Sequence, residues 1–159
     1  MRILVINGPN MNLLGIRQPE IYGRATYQDL LSMIREEAER LGVEVEFFQS
    51  NHEGALVDAI QGALGKADGI VINPAAYTHT SVALLDAVKA VGIPTVEVHV
   101  SDPDSREEFR RVSYIRSACT ATIRGHGLEG YLEALRLLVH PTHTLPGHTL
   151  PGPFGALPL

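Results

Sequence analysis

Ile70-Val71-Ile72-Asn73-Pro74-Ala75-Ala76-Tyr77-Thr78-His79-Thr80-Ser81 reads as an apolar strand that stops at an Asn-Pro pair and opens, past two small residues, into a polar turn. The helical stretch Val82 to Val91 follows. Strand, turn and helix start in that order make the basic unit of a parallel sheet. In such sheets ligands bind outside the carboxyl ends of strands, and a helix N-terminus offers unpaired backbone N–H groups to an anionic or oxygen-rich guest. Helix capping by Thr80 or Ser81 accounts for a hydroxyl at this position. It does not account for an Asn, a His and three aliphatic hydroxyls between Asn73 and Ser81, so the turn is read as part of a site.

Outward from this unit the alternation repeats. Ile3 to Asn7, Val43 to Gln49, Ile70 to Asn73, Thr95 to Val100 and Ala121 to Arg124 are rich in Val, Ile and Thr and are expected to be strands. Tyr27 to Leu41, Gly54 to Leu64, Ser81 to Val91 and Leu128 to Val139 carry apolar residues at helical spacing, with Gly42 and Gly92 just past two of the ends. The pattern predicts an α/β fold, a flavodoxin-like five-stranded parallel sheet in the order 2-1-3-4-5 with helices on both faces. Residues 1–139 are expected to form a single catalytic α/β domain. Residues 140–159 repeat His-Thr-Leu-Pro-Gly from His143 and from His148 and read as a Pro/Gly-rich C-terminal extension, an extended arm.

Composition sets the limits. A chain of 159 residues, 45% hydrophobic, can build one core without staples. Its apolar runs are far too short to span a membrane. Met1 to Ile6 enters a strand without the regions of a secretion signal, and the single cysteine, Cys119, fits a reducing cytoplasm. With 18 acidic and 13 basic side chains the net charge is −5, so no global field recruits nucleic acid or an anionic membrane. Any anion binding must be local.

Two segments interrupt the regular pattern. Gly8 to Arg24 holds Gly8, Pro9, Gly15, Pro19 and Gly23, which discourage helix, together with Asn10, Arg17 and Tyr22. It reads as a gating lid, centred on 15–24, in which the glycines act as hinges. From Ser101 to Arg116, Asp102-Pro103-Asp104-Ser105 is expected to start a short helix through Arg111. There Arg106 and Arg110 would share a face while Glu107 pairs with Arg111, and a carboxylate clamp would lie beside the fourth strand. On that strand Glu97 and His99 are two apart and therefore point to one face. A carboxylate beside an imidazole fixes its tautomer and readies it to donate a proton, which makes His99 a candidate general acid and Glu97 its orienting partner.

Taken together, several ordered motifs resemble the type II 3-dehydroquinate dehydratases. They are Ile6-Asn7-Gly8-Pro9-Asn10 with Asn12 and Leu13, Arg17-Gln18-Pro19-Glu20-Ile21-Tyr22-Gly23, and Gln49-Ser50-Asn51-His52-Glu53-Gly54. The turn from Asn73 to Ser81, Glu97-Val98-His99-Val100-Ser101 and Arg106-Glu107-Glu108-Phe109-Arg110 continue the match. The resemblance implies a cofactor-free anti elimination, through an enolate, of water from 3-dehydroquinate to give 3-dehydroshikimate. It assigns Tyr22 as base, Arg17 as stabiliser of its phenolate, Asn10 as support for the enolate through a held water, and His99 as acid to the departing hydroxyl. Asn73, His79, Asp86, Arg110 and the backbone around Val100 and Ser101 would bind substrate. The implied assembly is a homo-oligomer, a dodecamer built from four trimers.

The chemistry can be judged apart from the resemblance. A free tyrosine is only about 0.1% phenolate at neutral pH, and lowering its pKa by ~2 units raises that to about 10%, a differential stabilisation of ~2.7 kcal/mol. Arg17 precedes Tyr22 by five residues in the same loop and fits that role. Lys66 and Lys89, at the ends of predicted helices and away from every motif, make imine chemistry a poor fit. His79, Asp86, Glu97 and His99 include metal-ligand types but lack a recognised metal spacing, so no metal is expected. The alternative from another class is a non-catalytic α/β module that binds a small carboxylate or phosphate. It would need neither the Arg-Tyr lid pair nor the Glu-His pair.

Overall fold

A computed structural model describes residues 1–16 and 18–141. Arg17, the side chain of Tyr22 and the extension from 142 to 159 lie outside the described residues. Five strands, β1 (Arg2–Asn7), β2 (Glu44–Gln49), β3 (Gly69–Asn73), β4 (Thr95–His99) and β5 (Ala121–Arg124), form one sheet in the order β2-β1-β3-β4-β5. Every neighbouring pair is parallel. This is the flavodoxin-like order expected from the alternation. Among the described residues no helix is long and apolar enough to cross a membrane.

Strand alternation supplies two cores. On one face Ile3, Val5, Val71, Val96 and Val98 pack against Leu30 and Ile34 of α2 (Tyr27–Leu41) and Tyr131 and Leu135 of α5 (Glu129–Val139). On the other, Ile6, Ile70 and Ile72 meet Leu56 and Ile60 of α3 (Glu53–Gly62) and Leu84 and Val88 of α4 (Val82–Val91). β3 and β4 are buried along their whole length; β3 accordingly reads as a near-continuous apolar run, whereas β4 alternates and buries Thr95, Glu97 and His99. Burying each large side chain stabilises the fold by roughly 1.5–3 kcal/mol.

Helix ends follow local chemistry. Thr26 caps α2: its Oγ1 accepts from Asp29 N–H at 3.1 Å while Asp29 Oδ2 accepts from Thr26 N–H at 2.8 Å, a reciprocal capping box. Gly42 and Gly92 end α2 and α4 at φ of 70° and 63°, a region costly for residues with a Cβ. Of the two expected caps for α4, Ser81 is the one used, accepting from Leu84 N–H at 3.0 Å.

Both irregular segments depart from expectation. The first contains a 3-10 turn at Met11–Leu13 and one helical turn, α1 (Pro19–Tyr22), although it was expected to avoid helix. Pro19 is at the start of α1, where its missing N–H costs nothing, and Gly23 ends it at φ 79°. The second is not one helix but two 3-10 turns, Pro103–Ser105 and Glu108–Arg111. Arg106 between them is extended, at φ −108° and ψ −157°. Asp102 closes the first turn by accepting from Asp104 N–H and Ser105 Oγ at 3.1 and 2.8 Å, and this local bonding competes with helix propagation.

Candidate functional site

The site begins where β1 and β3 end side by side. Asn7 pairs with Gln49 on one side and Asn73 on the other, so three amide side chains stand in a row at the carboxyl edge of the sheet. Gly8 N–H donates to Asn73 O at 2.8 Å. A Cβ on Gly8 would run into the Pro74 carbonyl, so only glycine lets the first loop press this closely on the turn after β3. Asn10 follows in a left-handed conformation, φ 67°, its N–H donating to Asn51 Oδ1 at 3.0 Å. Gln49 donates to Gly8 O at 3.2 Å and Tyr77 Oη to Asn51 O at 2.9 Å. The motif after β2 thus braces the loop that carries Asn10.

On the next turn, His79 Nδ1 donates to Val112 O at 2.6 Å. A carbonyl only accepts, so Nδ1 carries the proton and the Nε2 lone pair is left as an acceptor. Burial lowers the His79 pKa, and the nearby His99 and Arg110 push the same way against the Val112 hydrogen bond. The neutral ring is thereby favoured, suited to receive a hydroxyl proton donor. Tyr114 N–H donates to Thr78 O at 3.0 Å, tying the turn to the segment after the arginines.

Glu97 is fully buried in β4. Its Oε1 accepts from His99 Nε2 at 2.7 Å and from Ser113 Oγ at 2.6 Å. Its Oε2 accepts from Thr122 Oγ1 at 2.9 Å, with Arg116 Nε at 3.6 Å. Burial pushes the carboxyl up, but the bonds and charge of His99 with the two hydroxyl bonds outweigh it, and the net shift is downward. An ionised carboxylate that accepts three hydrogen bonds therefore fixes the His99 ring from behind. Cys119 is buried in the core beneath the sheet, its thiol pushed up by burial and by the Glu97 charge, which favours the protonated form and a packing role.

These elements enclose an open cleft at the carboxyl edge of the sheet, the usual place of a ligand site in a parallel sheet. Asn10, Asn73, His79, His99, Val100, Ser101 and Arg110 line it, as does Arg106. Met11, Leu14 and Pro103 give it an apolar wall. The Arg106 and Arg110 side chains are only 15% and 19% exposed, and Glu107 contacts them from outside at 3.9 and 2.7 Å. The expected pairing of Glu107 with Arg111 is thus replaced by pairing with Arg110, because the 3-10 turn brings residues three apart together. Two cations at the rim of a partly apolar cleft suit a small carboxylate.

Sequence expectation and structure agree unevenly. Glu97 is behind His99, not in the cleft wall. Asp86 is exposed on α4 and is not among the residues lining the cleft of its own chain, since the helix turns that position away from the sheet. Tyr22 ends α1 in the loop beyond Asn10, but its side chain and all of Arg17 lie outside the described residues. Among the described residues no group of three or more His, Cys, Asp or Glu could hold a metal ion. Sequence reasoning missed Ser113, Arg116, Thr122 and Tyr131. Thr122 was within reach of it, because β4 and β5 in parallel register put Thr122 opposite Glu97.

Residues 1–139 match the family described as dehydroquinase class II. The chain is 54% identical over 138 residues to the 3-dehydroquinate dehydratase of Clostridium acetobutylicum, covering 87% of this chain and 96% of that protein. It is 56% identical over 138 residues to the 3-dehydroquinate dehydratase of Caldicellulosiruptor bescii, covering 86% and 95%. The crystal structure of type II dehydroquinase from Butyrivibrio crossotus superposes with a TM-score of 0.86 at 51% identity, covering 87% of this chain and 97% of that one.

Proposed function

The chain belongs to the class II dehydroquinase family, and on that premise we propose that it dehydrates 3-dehydroquinate to 3-dehydroshikimate in the shikimate pathway by anti elimination without a cofactor. The observation that carries the reading is the His99–Glu97 pair, 2.7 Å apart, at the edge of a cleft that also holds Asn10, Asn73, His79 and two arginines. Arg110 and the backbone around Val100 and Ser101 hold the carboxylate and ring hydroxyls, with Asn73 and His79 Nε2 taking further hydroxyl contacts. Tyr22, as a phenolate stabilised by Arg17, removes the proton next to the carbonyl. The electron pair of the broken C–H bond forms the enolate double bond, and negative charge moves to the carbonyl oxygen. Asn10 supports that oxygen through a held water. The enolate then collapses, the bond to the hydroxyl on the far carbon breaks, and His99 gives that oxygen its proton, releasing water. Glu97 stabilises the imidazolium before the transfer.

The assembly is a dodecamer of four trimers working in the cytoplasm. Asp86 stands away from its own chain's cleft, so its part in substrate binding is played toward a neighbouring subunit. The test is ultraviolet detection of the conjugated enone from 3-dehydroquinate, before and after treatment with a chelator. Equal enone formation in both supports the reading; stoichiometric binding without turnover, or activity lost to the chelator, overturns it.

A further inference from the structure

Tyr131 is wholly buried on α5, yet its hydroxyl reaches the carboxyl ends of two adjacent strands. It donates to Asn7 Oδ1 at 2.6 Å and accepts from Asn73 Nδ2 at 3.0 Å. Asn7 and Asn73 are register partners across β1 and β3, so one phenol ties both strand ends together. Burial pushes this hydroxyl far above the ordinary phenol range; it stays protonated and serves as donor and acceptor at once.

From there the connection runs into the cleft. Asn73 Oδ1 accepts from Ala75 N–H at 3.0 Å, and Ala75, which lines the cleft, holds a φ of 53°. A residue with a Cβ occupies that region only where its surroundings fix it. An asparagine amide has one accepting and one donating end, so anchoring Nδ2 on Tyr131 also decides that Oδ1 faces Ala75. The remaining Nδ2 hydrogen is directed at the Met11 sulfur, 3.6 Å away, a weak acceptor that a substrate hydroxyl would displace.

We propose that Tyr131 is a positioning residue for substrate binding, locking the Asn73 amide in the orientation that shapes the turn and presents one N–H to the cleft. This rests on the dehydratase reading of the cleft. A phenylalanine would fill the same volume but let the amide rotate and leave its buried donor without an acceptor.

The test is a double-mutant cycle in steady-state dehydration of 3-dehydroquinate. Tyr131→Phe should raise KM about tenfold, the worth of one buried hydrogen bond, while kcat stays within about twofold. In an Asn73→Ala background the same change should have no further effect on KM. A merely structural tyrosine would lower the thermal midpoint and leave KM alone; unchanged KM, or effects that add in the double variant, overturn the inference. Should Tyr131→Phe fail to fold, para-aminophenylalanine at 131 keeps a donor toward Asn7 but offers Asn73 a poor acceptor. A raised KM there supports the inference and a wild-type KM overturns it. Wild-type protein without turnover would overturn the dehydratase reading and this inference with it, whereas wild-type turnover with indifferent variants overturns this inference alone.

Discussion

Glu97 shows what two residues at strand spacing can and cannot reveal. Its pairing with His99 followed from alternation alone, because side chains two apart share a face. The Ser113 hydroxyl on the same oxygen had no sequence signal, since it arrives from a loop sixteen residues away. The downward shift of the Glu97 carboxyl has a thermodynamic consequence. A carboxyl held below its unfolded value contributes stability above that value, and the contribution is lost as pH falls through the folded one. Glu97→Gln should therefore flatten the acid side of a plot of unfolding free energy against pH. It should also cut kcat about 10- to 100-fold, through a lost hydrogen bond to a charged group. Chemical denaturation across pH 3 to 7 and steady-state rates check both. At Tyr22 the proposed role is the base itself, so Tyr22→Phe should lower kcat about 10²- to 10⁴-fold with KM changed far less.

Among the elements, the five strands and the four long helices were legible because apolar periodicity and capping agreed with each other. Thr26, Gly42 and Gly92 ended their helices where the pattern did. Segment 103–111 misled for a physical reason. Its charge spacing suits an α-helix, but Asp102 and Ser105 bond locally and stop propagation, and the arginines reach the cleft without one. The polar tie between α2 and α5 was likewise hidden: the Glu37 carboxylate accepts from Arg40 Nε of its own helix at 3.0 Å and from Arg136 Nε of α5 at 2.7 Å. The Arg40 bond, opposed by burial and aided by Arg136, pulls the Glu37 pKa down to about 2. That stabilisation is complete above the ordinary carboxylate range and fades as pH falls toward 2. Glu37→Gln should cost about 1–2 kcal/mol at neutral pH and little near pH 2, as read by denaturant titration at the two pH values, with kcat unchanged.

Across the whole molecule, one parallel sheet gathers Asn7, Gln49, Asn73 and His99 at a single edge, and the loops leaving that edge supply the rest of the cleft. This much could be read from the chain, because each of these polar residues closes a strand-like run. Asp86 could not be placed that way: a position on a helix face does not say whether the side chain reaches the cleft, and in the fold it is exposed on α4. Residues 142–159 lie outside the described residues, and removing the chain after Val139 should leave enone formation within about twofold of the full chain, measured on the two proteins side by side. The central claim, elimination across opposite faces of the ring, is tested most directly with 3-dehydroquinate carrying deuterium next to the carbonyl, on the face opposite the departing hydroxyl. Mass spectrometry of the product from chelator-treated enzyme should find 3-dehydroshikimate without the label. Product that keeps the deuterium, or no product at all, would contradict the account.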